Sequence, residues 1–277
     1  MKFMMILSNP EIARFVCGFE GVQPFVDLEV IGKAERQGHL PSWKSKHTLT
    51  DVTKVREAVP DAHLIVRVNP LHDGSKAEVT EVVARGADSI MLPMFHCQDT
   101  LARFFDLLRD QANPFPLFET AASVAAIPKI VPALGISKLH IGLNDLHLDL
   151  KKEFLFQPIA DGYLEGPAQT LREKNVEFGI GGVARAREGI VSPEYLLGEH
   201  VRLGSSSAIL SQTFHRNALN LDQLNSEMDF SVELAKLRQI YSQFLTMNSA
   251  ELELNRIKTK DRIGDVVNLL RERKKKR

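Results

Sequence analysis

Pro116-Leu117-Phe118-Glu119 and Leu139-His140-Ile141-Gly142-Leu143-Asn144-Asp145 decide how this chain reads. In each stretch a short apolar run leads to a carboxylate, and the two carboxylates, Glu119 and Asp145, stand 26 residues apart. That separation is one strand, helix, strand step, because parallel strands need a crossover of a dozen or more residues, usually a helix. Neighbouring parallel strands deliver both acids to one rim, close enough to share a divalent cation.

Outward from this pair, short apolar runs rich in β-branched residues recur along the chain. Strands are predicted at 2–7, 24–29, 62–68, 87–92, 115–119, 137–142, 176–180 and 200–204, with amphipathic helical stretches between most of them. This is the alternation of a parallel sheet. Eight units predict an α/β fold closed into a (β/α)8 TIM barrel, with a doubly wound open sheet as the alternative. Thr48-Leu-Thr-Asp51 and Ser75-Lys-Ala-Glu78 both match a capping box, and a helix over 76–85 is predicted to end at Gly86.

Past Arg216 the strand pattern stops. Phe230, Leu234, Leu237, Tyr241 and Phe244 fall at helical spacing, as do Ile263, Val266, Val267 and Leu270, and Ser226-Glu-Met-Asp229 is placed to cap the first of these helices. The expected organisation is a TIM-barrel catalytic domain over 1–220 with a C-terminal helical extension over 221–277.

A chain of 277 residues, 44% of them hydrophobic, suffices for one barrel of about 250 residues with an appendage. Lys and Arg total 35 and so do Asp and Glu, so the whole molecule exerts no strong pull on nucleic acid or an anionic membrane. The basic end, Arg271 to Arg277, reads as a solvated helix terminus favoured by the macrodipole. Phe3-Met4-Met5-Ile6-Leu7 is too short for a signal core and reads as the first strand, and no run reaches transmembrane length. Cys17 and Cys97 have no partners at metal or redox spacing, which fits a reducing, cytoplasmic setting.

In such a barrel the reactive groups stand where strands end at the C-terminal face. Strand 2 brings Asp27 and Glu29 there, strand 3 Arg67 and Asn69, strand 4 Pro93, strand 5 Glu119, and strand 6 Asn144 and Asp145. Four acids beside one arginine repel one another unless protons or a metal compensate. Oxygen donors without well-spaced His or Cys point to Mg2+ or Mn2+. Such an ion keeps open positions that a 2-oxo acid fills through its carboxylate and carbonyl oxygens, and it stabilises the enolate as it forms. Arg67, a fixed fork of donors, suits the substrate carboxylate or the enolate oxygen. Two plainer roles stay open: Glu119 and Asp145 as helix-capping acids, and Arg67 as a structural partner for Asp27 or Glu29.

Phe25-Val-Asp-Leu-Glu29, Ile65-Val-Arg-Val-Asn-Pro70, Ala87-Asp-Ser-Ile-Met-Leu-Pro93, Phe118-Glu-Thr120 and Ile141-Gly-Leu-Asn-Asp-Leu146 together resemble the HpcH/HpaI aldolase and citrate lyase β-subunit family, in its order, over roughly 3–215. The resemblance implies a metal-dependent carbon–carbon lyase working through a pyruvate or 2-oxo acid enolate. It implies Glu119 and Asp145 as ligands of Mg2+ (or Mn2+), Arg67 as the residue holding the oxo-acid end, and Asp27 and Glu29 as groups orienting water on the metal. It assigns the substrate carboxylate to backbone amides of Gly142, Leu143 and Asn144, and it implies a homo-oligomer built through terminal helices.

The chain departs from that pattern. The aldolase branch has a histidine just after the strand 2 glutamate, where this chain has Val30. The citrate-lyase branch tends to have Asp there and Lys after the strand 4 proline, where this chain has Val30 and Met94. His39, His47 and His147 are the candidates for the missing proton carrier. The loop from Gly32 to His47 also holds Lys33, Arg36, Trp43 and Lys44, basic groups suited to an acidic substrate and a Trp suited to packing or a lid. Two competing functions remain. Gly179-Ile-Gly-Gly-Val183 and Gly204-Ser-Ser-Ser207, read as the ends of strands 7 and 8, suit a phosphosugar-handling barrel. The absent histidine suits a catalytically inactive barrel acting as a binding or assembly protein.

Overall fold

β1 (Lys2–Ile6) pairs in parallel with both β2 (Val22–Asp27) and β8 (Ser207–Leu210), and the second pairing closes the sheet. Between them β3 (Ile65–Arg67), β4 (Ser89–Leu92), β5 (Asn113–Phe118), β6 (Lys138–Ile141) and β7 (Glu177–Val183) follow in chain order around the ring. The computed structural model describes residues 1–37 and 46–275. It is the expected eight-stranded parallel barrel with helices between the strands.

Strands covered on both faces read as apolar runs. Met4, Phe25, Ile65, Met91, Phe115 and Leu117 fill the barrel interior, while residues of the opposite parity, such as Val26, Val66, Ile90 and Phe118, pack under the helices. His140 also lies in the interior, fully buried, its Nε2 3.1 Å from the Gly181 carbonyl. A side chain at Gly179 would collide with His140 Nδ1 and Ser207 Oγ, so that glycine makes room for the ring.

The eighth strand lies later than expected. Residues 200–203 close the helix Pro193–Leu203, and Gly204 is its left-handed C-cap at φ 88°. Four residues, His200-Val-Arg-Leu203, alternate as a strand would but are too few to exclude a helix, and here Leu196, Leu197 and His200 are buried at helical spacing. Gly204 and the serines after it therefore precede β8, at the end of the barrel opposite the strands' C-termini. The Thr48–Asp51 capping box forms, with Asp51 Oδ2 accepting from the Thr48 amide at 2.8 Å. The Ser75 box does not: its helix, Ser75–Ala84, starts one residue early, and Glu78 is drawn off to Asn69 Nδ2 at 2.7 Å.

Beyond β8 the chain is helical. Asp229 caps the helix Phe230–Leu245 by accepting from the Val232 amide at 3.1 Å, and Phe230, Leu234, Leu237 and Tyr241 are buried. Ile263, Val266 and Val267 are the buried stripe of the helix Ser249–Lys275. Both helices pack on Pro193–Leu203. Gly198 permits the approach, since a side chain there would strike Asn255 and Phe244. Among the described residues no helix is long and apolar enough to cross a membrane.

Candidate active site

Asp27 and Arg67 are the last residues of β2 and β3 and stand opposite each other in the register. The guanidinium therefore meets the carboxylate as a fork: Nε donates to Oδ1 and Nη2 to Oδ2, each at 2.8 Å. Two further cations come from the short helix Lys33–Gln37. Lys33 Nζ donates to Asp27 Oδ2 at 2.7 Å and lies 3.5 Å from Glu29 Oε2. Arg36 bridges two acids, with Nη2 2.5 Å from Glu29 Oε1 and Nε 3.1 Å from Asp145 Oδ1. Asn69 fixes the approach to this helix by accepting from the Val30 and Ile31 amides, both at 2.9 Å.

Glu119 follows β5 directly. Its Oε1 accepts from the Met94 amide at 3.2 Å, presented by a Met94 backbone at φ 53°. Its Oε2 rests in the notch left by Gly142, where a Cβ would come within 2.8 Å of it. Because Phe118 and Ile141 are register partners on β5 and β6, Glu119 and the turn leading to Asp145 emerge side by side. Asp27, Glu29, Glu119 and Asp145 are all buried.

Charges at this mouth are unevenly matched. Burial alone would raise Asp27, but Arg67 and Lys33 hold its carboxyl well below the usual range. Glu119 goes the other way: burial raises it, and the neighbouring Asp145 and Glu29 raise it further against the pull of Arg67. The sequence expectation of four acids with one arginine is therefore corrected. Lys33 and Arg36 join the cluster, because the residues after β2 turn back over the mouth as a helix instead of extending as a loop. The acids still outnumber the cations, and Glu119 carries the consequence.

The donor set fits a hard divalent ion. Glu119 and Asp145 are two carboxylates, the number with which Mg2+ is commonly held alongside water and substrate, and no cluster of three or more His, Cys, Asp or Glu suited to a closed metal site occurs among the described residues. Glu29 Oε2 is buried without a hydrogen-bond donor. The nearest cations, Lys33 Nζ and Arg67 Nε, each stand 3.5 Å from it, beyond a good hydrogen bond, so this oxygen has capacity for a further positive group.

The other predicted residues are placed as follows. The Gly142 amide donates to Phe118 O at 3.0 Å, so it belongs to the sheet and is not available to a ligand. Leu143 and Asn144 begin the helix Leu143–Asp149, where amides have no upstream acceptor. His47 Nδ1 accepts from the Asp27 amide at 3.2 Å, and burial lowers its basicity. His147 is buried, with Nδ1 3.2 Å from the Leu143 carbonyl. His39, Trp43 and Lys44 lie outside the described residues. Val30, 60% exposed, has no ionisable group, so the position after Glu29 supplies no acid–base function here. Of the two glycine-rich stretches, Gly181 and Gly182 line the mouth, but Gly204 to Ser206 lie at the far end and cannot share a phosphate with them.

A cavity of about 390 Å³ opens over this cluster, lined by Asp27, Lys33, His47, Arg67, Glu119 and Asp145 on one side. Asn9, Ser211, Gln212 and His215, from the ends of β1 and β8, line the other. Ser211, Gln212 and His215 were not anticipated because the eighth strand was expected at 200–204, and no motif marks Asn9 after β1.

The model of the HpcH/HpaI aldolase/citrate lyase family matches residues 44–154, a stretch that includes Arg67, Glu119 and Asp145. The resemblance read from the sequence is matched over that stretch. Solved structures agree on the fold. An HpcH/HpaI aldolase from Desulfitobacterium hafniense DCB-2 superposes with TM-score 0.58 at 16% identity, covering 84% of this chain and 91% of that one. A family protein from Burkholderia cenocepacia J2315 gives 0.60 at 15% identity, with coverage of 82% and 94%. A citrate lyase β-subunit from M. tuberculosis, complexed with oxaloacetate and magnesium, gives 0.55 at 14%, with coverage of 77% and 93%. No curated protein matches the chain.

Proposed function

We propose that this chain is a divalent-metal-dependent carbon–carbon lyase of the aldolase type that acts on a 2-oxo acid. The observation carrying this reading is the pair Glu119 and Asp145, buried together beside Arg67 at the mouth of the cavity, within the stretch matched by the aldolase/citrate lyase model.

Glu119 and Asp145 would hold Mg2+ or Mn2+, and the ion would supply positive charge opposite the carbonyl oxygen of the 2-oxo acid, where negative charge grows as the adjacent carbon–carbon bond breaks. Arg67 spends Nε and Nη2 on Asp27 and has Nη1 left for an anionic oxygen. Asp27, with Lys33, keeps that guanidinium oriented, and Glu29 holds Lys33 and Arg36 near the mouth. The amides of Leu143 and Asn144, at the start of a helix, suit the substrate carboxylate. His47 accepts the Asp27 amide at Nδ1, which leaves its ring proton on Nε2. His47 thus stands at the mouth, lining the cavity, as the candidate proton carrier among the described histidines. The protein is further proposed to be a cytoplasmic homo-oligomer, in keeping with its two free cysteines and with exposed Leu254 and Ile257 on the last helix.

The test is purified protein with Mn2+ or Mg2+ and a panel of 4-hydroxy-2-oxo acids, with released pyruvate coupled to lactate dehydrogenase. Metal-dependent turnover that is lost in Glu119→Gln and Asp145→Asn is expected. Turnover insensitive to chelator, or retained in both variants, overturns the proposal. The reading as a non-catalytic barrel has one observation in its favour, the Arg36 contact on Asp145, and metal binding with no turnover on any substrate of the panel would favour it.

A further inference from the structure

We propose that Arg36 is a built-in competitor for the cation site: it occupies Asp145 until a divalent ion binds, and it must leave Asp145 when the ion arrives, so that metal binding shifts the helix Lys33–Gln37. The inference rests on the assignment of Asp145 as a metal ligand made above. It concerns how this chain manages the site when no ion is held.

Three observations carry it. First, Arg36 ties together acids from two separate strand ends, Glu29 after β2 and Asp145 after β6, the bridging position of a cation between carboxylates.

Second, the chain is shaped to place the guanidinium there. Gly32 sits at φ 70°, and a Cβ on it would lie 2.9 Å from Arg36 Nη1. Nη1 itself reaches back to the Ile31 carbonyl at 3.4 Å. Arg36 thus folds over the glycine at the start of its own helix, and a side chain at position 32 would push it off.

Third, an ion held by Asp145 would stand beside the guanidinium on the same carboxylate, and two positive groups at such close range repel. Arg36 is also the cation able to leave: its side chain is 22% exposed, against 12% for Arg67 and 9% for Lys33, and those two are anchored on Asp27. Withdrawing Arg36 returns it to water without uncovering Asp27.

The predicted consequence is an affinity for metal reduced by the fraction of molecules in which Arg36 has moved away. Mn2+ titrations by calorimetry and by electron paramagnetic resonance of free Mn2+, on wild type, Arg36→Gln and Gly32→Ala, test it. Arg36→Gln is expected to bind Mn2+ about tenfold more tightly or better, for a wild type with roughly a tenth of molecules unlatched. Gly32→Ala, which displaces the guanidinium but keeps its charge, is expected to shift the same way, and this separates competition from simple loss of a nearby positive charge. Hydrogen exchange of the 30–37 amides should quicken on Mn2+ addition in wild type and should be fast with or without Mn2+ in Arg36→Gln.

Wild-type Mn2+ affinity in both variants, or exchange at 30–37 that slows with metal, overturns the competition while leaving the lyase reading intact. Absence of Mn2+ binding in wild type and in both variants overturns the metal assignment, and the competition falls with it.

Discussion

Arg67→Met tests the electrostatic logic of the mouth, because methionine keeps an apolar stem against Phe25, whose ring centroid lies 5.7 Å from the guanidinium carbon, and removes only the charge and its donors. Arg67 makes two 2.8 Å hydrogen bonds to Asp27 and lies 3.5 Å from Glu29, with 12% of its side chain exposed. Removing one partner of a buried pair costs about 3–5 kcal/mol. With Lys33 still 2.7 Å from Asp27, the lower half of that range is expected. For 277 residues at about 2.1 cal/mol/K each, the unfolding entropy is roughly 0.6 kcal/mol/K, so the melting temperature should fall by about 5–7 °C. Asp27→Asn removes a carboxylate from a cluster in which carboxylates already outnumber cations, and should cost less, about 1–3 kcal/mol. Both variants are measured by thermal and urea unfolding at pH 7 in chelator. If Asp27→Asn loses as much stability as Arg67→Met, the charge imbalance assigned to this site is wrong.

Gly142→Ala meets no backbone penalty at φ −83°, yet its Cβ would lie 2.8 Å from Glu119 Oε2 and 2.9 Å from Glu119 Cβ. A loss of about 1–3 kcal/mol from overpacking and at least a tenfold weaker grip on Mn2+ are expected, read by melting and by calorimetry; unchanged values for both would show that Glu119 does not depend on this notch. Acid should destabilise the fold through its buried histidines. Burial lowers His140 to about 3 and His200 to about 4, so both are neutral in the folded protein at pH 5, while unfolded histidines take up protons near 6.5. A lowered folded pKa means stability is whole above about pH 6.5 and drains as pH falls toward 4. The urea midpoint should therefore drop between pH 6.5 and 4.5, and a flat profile there would contradict neutral buried rings. Below the usual carboxylate range the paired Asp27 adds its own acid loss in the same direction.

The barrel was legible because its signal is periodic and local. Strands buried on both faces have to be apolar, and amphipathic helices between them have to return the chain, so β1 to β7 could be located from composition alone. β8 was misplaced where the alternating His200-Val-Arg-Leu203 served a helix end, since a stretch that short is too brief to show a helical period. The rim acids were equally legible: the chain leaves a buried strand at the rim, so Glu119, directly after β5, and Asp145, in the first turn of the helix after β6, both emerge there.

What those acids touch was not in the sequence. Lys33 and Arg36 read as loop charges until the helix Lys33–Gln37 brought them against Asp27, Glu29 and Asp145, across as many as 109 residues of chain. The Gly142 amide looked available to a ligand until the register of β5 and β6 spent it on Phe118. Periodicity fixes which residues a strand buries and which end they leave from, because both follow from the pleat. Ion pairing depends on where separate elements meet in space, and only the closed barrel decides that.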